Sequence, residues 1–565
     1  MRRQRRSFKL LALILGFSLL AAACGGDDDD DEAGQEPEAE EEVPEGGDLV
    51  IGAEQNGESM DWMHATAGSS WQFWMAGVNT MPTSFEIVQD GDSWVYEPSI
   101  LLEGEPELET DPQQVVTYQI AEDAIWSDET PITCADYVYT WDQIVTGADI
   151  YDTTGYRDVE SVECPDGEDG KTVVTTYSQS YAGWKSIFGG QFGIYPAHIL
   201  EGQDRHAAMN DGYDWSGGPW MLEEWARDQQ VVLVPNENYW GEVPRLDSVT
   251  FRIIPETNAE FEAFTGGEVR SIYPQPQVDV VEQVESGFDG ATVDVQANSP
   301  NLEALWINNS VAPFDSEAVR QAFAYALDRD AIVERLFGGL GITEAMQTFN
   351  APILGDFGDP DAFSIYEQDL DQVTELMEGD GWTMGDDGIW EKDGQRATAV
   401  FKTTAGNARR ETTQDIIIEQ AAEAGFEITT DNQEAGDLFG TQLPAGDYQL
   451  ALYAQVLTSL EPSVASLFVS SNIPGPANNN AGLNWTRTII PDADEPLLET
   501  DSNPDPEERS DAMADADALL AESATSIPLD PLPNIFIISD TVVGPKINNP
   551  IWGPYANMEE WGLAG

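Results

Sequence analysis

The sequence predicts an α/β protein of at least two domains. Residues 48–565 are too many for a single hydrophobic core, because cores stop growing at about 250–300 residues. In the second half, apolar patterns predict a strand at 399–403, a helix at 409–424 and a strand at 426–430. This order is typical of parallel strand pairing with a right-handed crossover. The 17 Trp and 21 Phe residues exclude a disordered chain, which is poor in aromatic residues.

The other elements are predicted, in chain order, from apolar runs that lie between turn residues. Strands are predicted at 48–53, 96–102, 115–120, 159–162, 173–177, 220–225, 231–234, 249–254, 302–309, 447–454 and 526–539. Helices are predicted at 135–146, 181–187, 257–264, 372–379 and 506–521, and two more are predicted to begin near Ser70 and at Ser316. Most strands alternate with helices or turns, which supports the α/β class.

The first 23 residues have the pattern of a secretory signal peptide. A basic start is followed by the apolar run Leu10–Leu20, which is too short to span a membrane as a mature helix. Ala21-Ala22-Ala23-Cys24 is similar to a lipobox, with Ala21 where leucine is usual. This pattern predicts that Cys24 is diacylated and becomes the mature N-terminus; cleavage without a lipid is the alternative. Arg5-Arg6-Ser7-Phe8 is also compatible with a twin-arginine signal.

The segment 24–47 is strongly acidic. Between residues 27 and 45 it has five Asp and seven Glu and no basic residue, so we expect an extended tether between the lipid and the folded body. The whole chain has a formal net charge of −80. A surface this acidic repels phosphate backbones and therefore excludes nucleic-acid binding. Adaptation to salt and a composition shared across the lineage are both compatible with this acidity.

Three cysteines occur, and one of them is Cys24. Cys134 and Cys164 are the pair that remains in an exported protein, so we predict a disulfide between them; two buried free thiols are the alternative. No Cys-x-x-Cys motif occurs and the chain has only three histidines, so we predict neither a zinc site nor another metal site. No cofactor is predicted.

The stretch Ala124–Trp141 joins the end of a strand to a turn and then to a helix. Residues 127–131 have turn chemistry, and Thr133 is placed to N-cap the helix. This block resembles the signature of the peptide-type solute-binding proteins of ABC importers, the dipeptide and oligopeptide receptors of family 5. Glu129 replaces the family's usual glycine, and Cys134 stands where a small residue is common.

Two further blocks extend the resemblance. Gly218–Gly241 predicts two strands around a polar turn and is similar to the family's Gly-Pro-aromatic strand with its Asn-x-x-Tyr-Trp-Gly closure. Phe314–Arg329 is similar to the family's Arg-Gln-Ala helix that ends in Asp-Arg. In that helix we interpret Arg320 and Asp328 as residues of surface or interhelical ion pairs, with a structural role. The resemblance runs in order through nearly all of residues 48–540.

The resemblance implies a two-lobed periplasmic-binding-protein-like fold of type II, in the large form with three subdomains and with strands that cross the hinge. Lobe I is expected at 48–82, 205–298 and 532–565. An inserted subdomain is expected at 83–204, and lobe II at 299–531. The implied function is capture of a small solute outside the cytoplasmic membrane, in the cleft between the lobes, and its delivery to an ABC importer permease. The protein is expected to be a lipid-anchored monomer at the outer face of that membrane and not an enzyme.

The family comparison also suggests which residues line the cleft. The candidates for ligand binding are Ser69, Ser70, Trp71, Gln455, Thr458, Asn484 and Trp485. For Trp71 the alternative is a place in the hydrophobic core. Family members that bind peptides often hold the peptide ammonium with an aspartate, and here Thr458 or Ser459 falls at that position. A hydroxyl does not replace a buried counter-charge, so a sugar or another organic solute stays open beside a peptide.

Two other functions were considered from the residues. No Gly-x-Ser-x-Gly or His-Glu-x-x-His motif occurs, but the 104 carboxylates leave acid–base catalysis by a carboxylate pair open. A secreted carboxylate-dependent hydrolase is therefore one alternative, and a non-transport envelope lipoprotein is the other. A hydrolase would turn over its solute, and a structural lipoprotein would lack a cleft that closes.

Overall fold

The computed structural model describes residues 43–57, 59–64, 70–91, 93–147, 150, 153–190, 192–297, 299–355, 357–434, 437–457, 460, 464–476, 482–545 and 551–564. The predicted signal peptide, the lipidation site Cys24 and most of the acidic tether lie outside these residues. The chain from Val43 onward forms one compact unit.

Strands are distributed along the whole described chain. They are β1 Asp48–Ala53, β2 Phe85–Asp90, β3 Ser93–Pro98, β4 Glu107–Glu109, β5 Val115–Gln119, β6 Val159–Glu163, β7 Thr172–Tyr177, β8 Trp220–Ala226, β9 Gln230–Pro235, β10 Ser248–Ile253, β11 Ser271–Ile272, β12 Ala291–Gln296, β13 Asn301–Ile307, β14 Thr383–Met384, β15 Trp390–Lys392, β16 Gln395–Arg396, β17 Thr398–Lys402, β18 Glu427–Thr430, β19 Leu450–Val456, β20 Ser526–Pro531, β21 Asn534–Ser539, β22 Val542–Val543 and β23 Gly562–Leu563.

The α-helices lie between the strands, as an α/β fold requires. They are α1 Ser70–Gln72, α2 Val78–Thr80, α3 Cys134–Thr146, α4 Ala197–Leu200, α5 Arg205–Met209, α6 Thr257–Thr265, α7 Val278–Ser286, α8 Glu317–Tyr325, α9 Arg329–Phe337, α10 Leu370–Gly379, α11 Ala408–Glu423, α12 Leu443–Ala445, α13 Ala465–Phe468, α14 Pro491–Ser502 and α15 Pro506–Ser523. A π-helical segment, Phe73–Gly77, joins α1 to α2.

Two large sheets organise the unit. The first has seven strands in the order β12-β21-β11-β1-β10-β9-β8, and β1 pairs in parallel with both β10 and β11. The second has five strands in the order β18-β17-β19-β13-β20. Within it β17 is parallel to β18, and α11 connects them, as the βαβ pattern of the sequence predicts. Every residue of the inner strand β13 is buried.

The chain passes from one large sheet to the other twice. It leaves β12 of the seven-stranded sheet and enters β13 of the five-stranded sheet through residues 297–300. It returns from β20 to β21 through residues 532–533. The two passages lie side by side, because Ser299 Oγ donates to the carbonyl of Leu532 at 2.6 Å and Asn301 Nδ2 donates to Asn534 Oδ1 at 3.0 Å. The predicted single strand 526–539 is therefore two strands in two sheets.

A four-stranded sheet, β4-β5-β7-β6, packs with α3 in the region between β1 and β8. The predicted bond between Cys134 and Cys164 is present, with 5.8 Å between the two Cα atoms. Asp136 in the first turn of α3 accepts from Thr133 N, Trp126 Nε1 and Ala197 N. The first sequence block therefore owes its fixed spacing to one buried carboxylate that connects a turn, a helix and a later segment.

Some local predictions were wrong. The predicted helix 181–187 contains only a 3₁₀ turn at Trp184–Ser186. The amide of Gln114 bonds both the N–H and the carbonyl of Tyr181, so these backbone groups are not available to a helix. The predicted surface or interhelical ion pair of Arg320 is replaced by a buried guanidinium that donates to the carbonyls of Phe314 and Ser523.

Candidate functional site

One edge of the five-stranded sheet borders the passages between the two large sheets. The strand β19 ends there at Val456, which pairs with Asn301, the first residue of β13. The strand β17 ends at the same edge, because it runs parallel to β19. In α/β sheets, ligands bind in the crevice beyond the carboxyl ends of such strands, so this edge is the place to look for a solute site.

The segment after β19 contacts both parts of the molecule. Leu457 N donates to the carbonyl of Pro300 at 3.1 Å, beside the first passage. Leu457 and Leu460 also pack against the hydrophobic core that contains residues of the seven-stranded and four-stranded sheets. Leu460 N donates to the hydroxyl of Tyr96 in β3 at 3.0 Å. Leu457 and Leu460 therefore connect the end of β19 to the part of the molecule that contains β3.

Aromatic side chains line the five-stranded sheet at this edge. Tyr453 stacks on Trp306, with ring centroids 5.0 Å apart, and contacts Phe439 at 5.6 Å and Trp485 at 6.0 Å. Phe439 and Trp485 are half-buried. We call Phe439, Tyr453 and Trp485 the aromatic wall. Gln455 lies two residues after Tyr453, so its side chain leaves the same face of the strand, and it is also half-buried.

A buried ion cluster lies on the opposite face of this sheet. Glu303 in β13 accepts from Arg409 Nη2 at 2.8 Å and from Arg410 Nε at 2.7 Å, and both arginines lie in the first turn of α11. The two guanidinium groups lower the pKa of Glu303 despite its burial. Asp530, opposite Glu303 on β20, is fully buried, and burial raises its pKa to about 7. The cluster attaches α11 to the strands at the same edge.

A second buried carboxylate pair follows the end of β1 in the seven-stranded sheet. Glu54 accepts from Thr257 Oγ1 at 2.7 Å and from Gln275 N at 3.2 Å, and burial raises its pKa to about 7. Glu260 of α6 is fully buried, and burial together with the charge of Glu54 raises its pKa well above the usual value. Gly52 leaves room for the side chain of Glu260, because a Cβ at position 52 would lie 3.0 Å from Glu260 Oε1.

Comparison with known proteins agrees with this architecture. The family model described as bacterial extracellular solute-binding proteins, family 5, middle region, matches residues 97–473, which is more than half of the chain. The chain belongs to this family. The oligopeptide-binding protein OppA of Mycobacterium tuberculosis is 24% identical over 474 residues, which cover 82% of this chain and 76% of that protein. The oligopeptide-binding protein AppA of Bacillus subtilis is 26% identical over 287 residues, 50% of this chain and 51% of that protein.

Solved structures of family 5 proteins show the same fold. The periplasmic EDTA-binding protein EppA superposes with a TM-score of 0.82 at 24% identity, over 93% of this chain and 97% of that one. Bacillus subtilis AppA in complex with a nonapeptide gives a TM-score of 0.78 at 23% identity, over 93% and 100%. The predicted two-lobed, periplasmic-binding-protein-like fold is therefore confirmed. These three proteins, OppA, AppA and EppA, are all named for binding.

The structure brings only part of the predicted site of this family 5 protein together. Gln455 and Trp485 both lie at the aromatic wall, and the indole N–H of Trp485 donates to the carbonyl of Gly482 at 3.0 Å. Ser70 begins α1, while Ser69 and Thr458 lie outside the described residues. Sequence reasoning missed Tyr453 and Phe439. Tyr453 could have been predicted, because residues two positions apart in a strand lie on the same face and Gln455 was already a candidate.

Asn484 has a structural role in this family 5 protein. It is fully buried, and its amide nitrogen lies within hydrogen-bond distance of the carbonyls of Phe468, Val469 and Thr488. Its oxygen accepts from Thr486 Oγ1 and Thr488 N. These contacts use the hydrogen-bonding capacity of the Asn484 amide, so it has none left for a solute. Instead, Asn484 stabilises the loop that carries Trp485.

Trp71 also has a place in the core, which is the alternative that the sequence left open. Its side chain is 3% exposed and its ring contacts those of Trp74, Tyr273 and Tyr555. The C-terminal segment covers this helix, because Trp74 Nε1 donates to the carbonyl of Ile551. In this structure the ring therefore has almost no surface to offer a solute.

In the part of the chain that the structure describes, no group of three or more His, Cys, Asp or Glu side chains has the arrangement of a metal site. Among the same residues, no helix is both long enough and apolar enough to cross a membrane.

Proposed function

We propose that this protein captures a peptide, or a similar small organic solute, at the junction between its two large sheets and passes it to an ABC importer. The observation that carries the proposal is the position of the aromatic wall and Gln455 at the sheet edge beside the two passages. Rings at such an edge contact apolar side chains of a solute, and the Gln455 amide can bond a peptide backbone. The relatives named as oligopeptide-binding proteins support the peptide over a sugar.

We assign the lobes around the two passages. Lobe I comprises residues 48–82, 205–298 and 532–565, the inserted subdomain comprises 83–204, and lobe II comprises 299–531. Under this assignment residues 297–300 and 532–533 are the hinge, and the Tyr96–Leu460 contact joins the inserted subdomain to lobe II across the cleft. Closure around a solute excludes water and strengthens its polar contacts.

The proposed contact residues are Gln455, Thr458 and Trp485 in lobe II, and Ser69 and Ser70 at the start of the helical segment in lobe I. Leu457 and Leu460, the described neighbours of Thr458 in the sequence, pack against the core on the lobe I side. A solute that fills the cleft would therefore contact both lobes at once. This is what couples binding to closure, since a ligand shifts an equilibrium only by its difference in affinity for the two states.

The location follows from the N-terminal sequence. We propose that residues 1–23 are removed, that Cys24 is diacylated, and that the acidic segment to residue 47 tethers a monomeric body at the outer face of the cytoplasmic membrane. A permease at that membrane would receive the solute. Mass spectrometry of the mature N-terminus tests this part, and a Cys24→Ser variant should be released from the membrane fraction into the medium.

The main experiment identifies the solute. Mass spectrometry of small molecules released from the purified protein names candidates, and thermal-shift measurements with them test binding, because a ligand raises apparent stability by mass action. Trp485→Ala and Gln455→Ala should each weaken binding by roughly tenfold or more, which corresponds to about 1.4 kcal/mol. Gln203→Ala, at an exposed position, is the matched control.

Two results would contradict the proposal. Unchanged affinity in both Trp485→Ala and Gln455→Ala would show that the solute does not bind at the aromatic wall. Chemical conversion of the solute by the purified protein, detected by chromatography, would instead support the hydrolase alternative. A binding protein returns its solute unaltered.

A further inference from the structure

Two hydrogen bonds connect the inserted subdomain to lobe II outside the two passages. Ala182 N donates to the carbonyl of Asp501 at 2.7 Å. In the opposite direction, Leu460 N of lobe II donates to the hydroxyl of Tyr96 at 3.0 Å. Each side therefore supplies one donor and one acceptor. We call these four residues the clasp.

The acceptor at Asp501 belongs to the end of a helix. The helix α14 ends at Ser502, so the carbonyl of Asp501 is one of the last four, which have no partner within their own helix. The C-cap residue Asn503 bonds the carbonyl of Glu499 and not that of Asp501. The final carbonyls of a helix carry the negative end of its dipole, which attracts an N–H group. Ala182 therefore completes a helix of lobe II from outside that lobe.

The donor at Ala182 is held in place by Gln114. Gln114 is buried, its Oε1 accepts from Tyr181 N at 2.8 Å, and its Nε2 donates to the carbonyl of Tyr181 at 3.0 Å. Both backbone groups of the residue before Ala182 are thus fixed by one side chain. A donor that is already ordered loses less entropy when its bond forms. Gln114 is therefore a positioning residue for the clasp.

Opening of the lobes would break both bonds. The four-stranded and seven-stranded sheets share one hydrophobic core, so the inserted subdomain moves with lobe I when lobe II rotates about the two passages. A donor and an acceptor that separate beyond about 3.5 Å no longer form a hydrogen bond. The same rotation would pull Leu457 and Leu460 away from the core against which they pack.

We propose that the inserted subdomain holds this protein closed, and that the two bonds of the clasp form and break together as the lobes close and open. The inference rests on the proposed hinge and cleft. None of the proposed solute contacts lies in residues 83–204, so the clasp gives the inserted subdomain a role in retaining the solute without contacting it. Because one motion breaks both bonds, a weaker bond at either point makes opening more frequent at both.

The test is hydrogen–deuterium exchange of the full-length purified protein without solute, read at the amides of Ala182 and Leu460 by mass spectrometry of overlapping peptides. A bonded amide exchanges when its bond opens. Tyr96→Phe removes the acceptor of Leu460 N and keeps the ring. It should make the amide of Ala182, in the other bond, exchange about two- to tenfold faster, which is the net contribution of one hydrogen bond to a two-state equilibrium.

The reciprocal variant is Ala182→Pro. Proline removes the N–H of residue 182, and it suits this position, which opens a turn ahead of the 3₁₀ helix Trp184–Ser186. The amide of Leu460 should then exchange faster by a similar factor. Ala182→Gly keeps the N–H and should leave Leu460 unchanged.

The control for the tyrosine variant is Tyr118→Phe in β5 of the same subdomain. The ring of Tyr118 packs inside the subdomain on Tyr137 and Phe188, so this variant should leave the amides of Ala182 and Leu460 unchanged.

Two outcomes would overturn the proposal. Faster exchange at Leu460 alone in Tyr96→Phe, with Ala182 unchanged, would show two independent local contacts. Equal acceleration at Ala182 and in the buried strand β13 would show unfolding in place of opening. If Ala182→Pro does not fold, Tyr96→Phe decides alone. No solute enters this experiment, so its failure is distinct from a failure of the binding experiments at the aromatic wall.

Discussion

Each of the two large sheets has a pair of buried carboxyl groups at the end that faces the passages, and the two pairs are neutralised differently. In the five-stranded sheet, Glu303 accepts hydrogen bonds from two arginines and has a lowered pKa. In the seven-stranded sheet, Glu54 accepts hydrogen bonds from neutral groups, the hydroxyl of Thr257 and the backbone N–H and side chain of Gln275, and its pKa is raised to about 7.

The comparison shows that burial alone does not decide the charge of a carboxyl group. Burial disfavours the ionised form in both pairs, but two guanidinium groups outweigh it at Glu303, whereas hydrogen bonds from neutral donors do not outweigh it at Glu54. Glu303 is therefore a carboxylate bound to two arginines, whereas burial favours the neutral forms of Glu54, Glu260 and Asp530. Glu303 and Glu54 should respond to pH in opposite ways, because the stability that a lowered pKa contributes is lost as the pH falls, and the stability that a raised pKa contributes is lost as the pH rises.

The largest effect is expected from Arg409→Met, which breaks the ion cluster and leaves buried carboxylates with one guanidinium. The free energy of unfolding should fall by about 3–5 kcal/mol in a urea titration at pH 7. The matched control is Arg252→Met, which removes the exposed pair with Glu268 and should cost less than about 1 kcal/mol. Equal losses in both variants would show that the cluster is no stronger than a surface pair.

An intermediate effect is expected from Glu260→Gln in the other pair. A carboxyl group with a raised folded pKa stabilises the protein below its unfolded pKa of about 4.5, and that stability is lost as the pH rises through the folded value, about 7 for Glu54. Glutamine does not ionise, so the variant should be more stable than wild type by about 1–3 kcal/mol at pH 8, with little gain at pH 5.

The control for that variant lies on the same helix. Glu262 is exposed in α6, so Glu262→Gln should leave the pH dependence of the free energy of unfolding unchanged. Denaturant titrations of wild type and both variants between pH 5 and pH 8 make the comparison. A wild type whose stability is constant or increases over this interval would contradict the assignment of a protonated pair.

The smallest effect is expected from Asp530→Asn. This variant distinguishes the role of Asp530 in the ion cluster from that of Glu303. With a folded pKa of about 7, Asp530 is mostly neutral at pH 6, and asparagine has the same shape. In Asp530→Asn, the free energy of unfolding at pH 6 should change by less than about 1 kcal/mol. In Glu303→Gln it should fall by about 3–5 kcal/mol. Similar losses in the two variants would show that both carboxyl groups act as counter-ions to the arginines.

The sequence predicted the fold well where a pattern is local. The βαβ unit from β17 to β18 was readable because both strands and the helix between them are regular and adjacent. The bond between Cys134 and Cys164 was predictable because an exported chain offered one pair. The stretch Ala124–Trp141 predicted the start of α3 well, because the turn and the N-cap that begin this helix lie within a few residues of each other.

The site was less predictable, because it depends on contacts between distant segments. The core position of Trp71 depends on Tyr555, more than 470 positions away, and its neighbour Trp74 donates to the carbonyl of Ile551 in the same C-terminal segment. Asn484 looked available for a solute, but the backbone that uses its amide is visible only once the loop has folded. Arg409 and Arg410 were passed over as helix residues, because their partner Glu303 lies about a hundred positions earlier in a different element.

The position of β21 has a consequence for how the chain is made. This strand joins β12 to β11 in the seven-stranded sheet, yet it is synthesised only after all of β13–β20. Until residue 539 has left the ribosome, β12 lacks its partner and presents an open strand edge, which is prone to aggregation. A product truncated before Asn534 would therefore be a client for chaperones and proteases and not a smaller receptor.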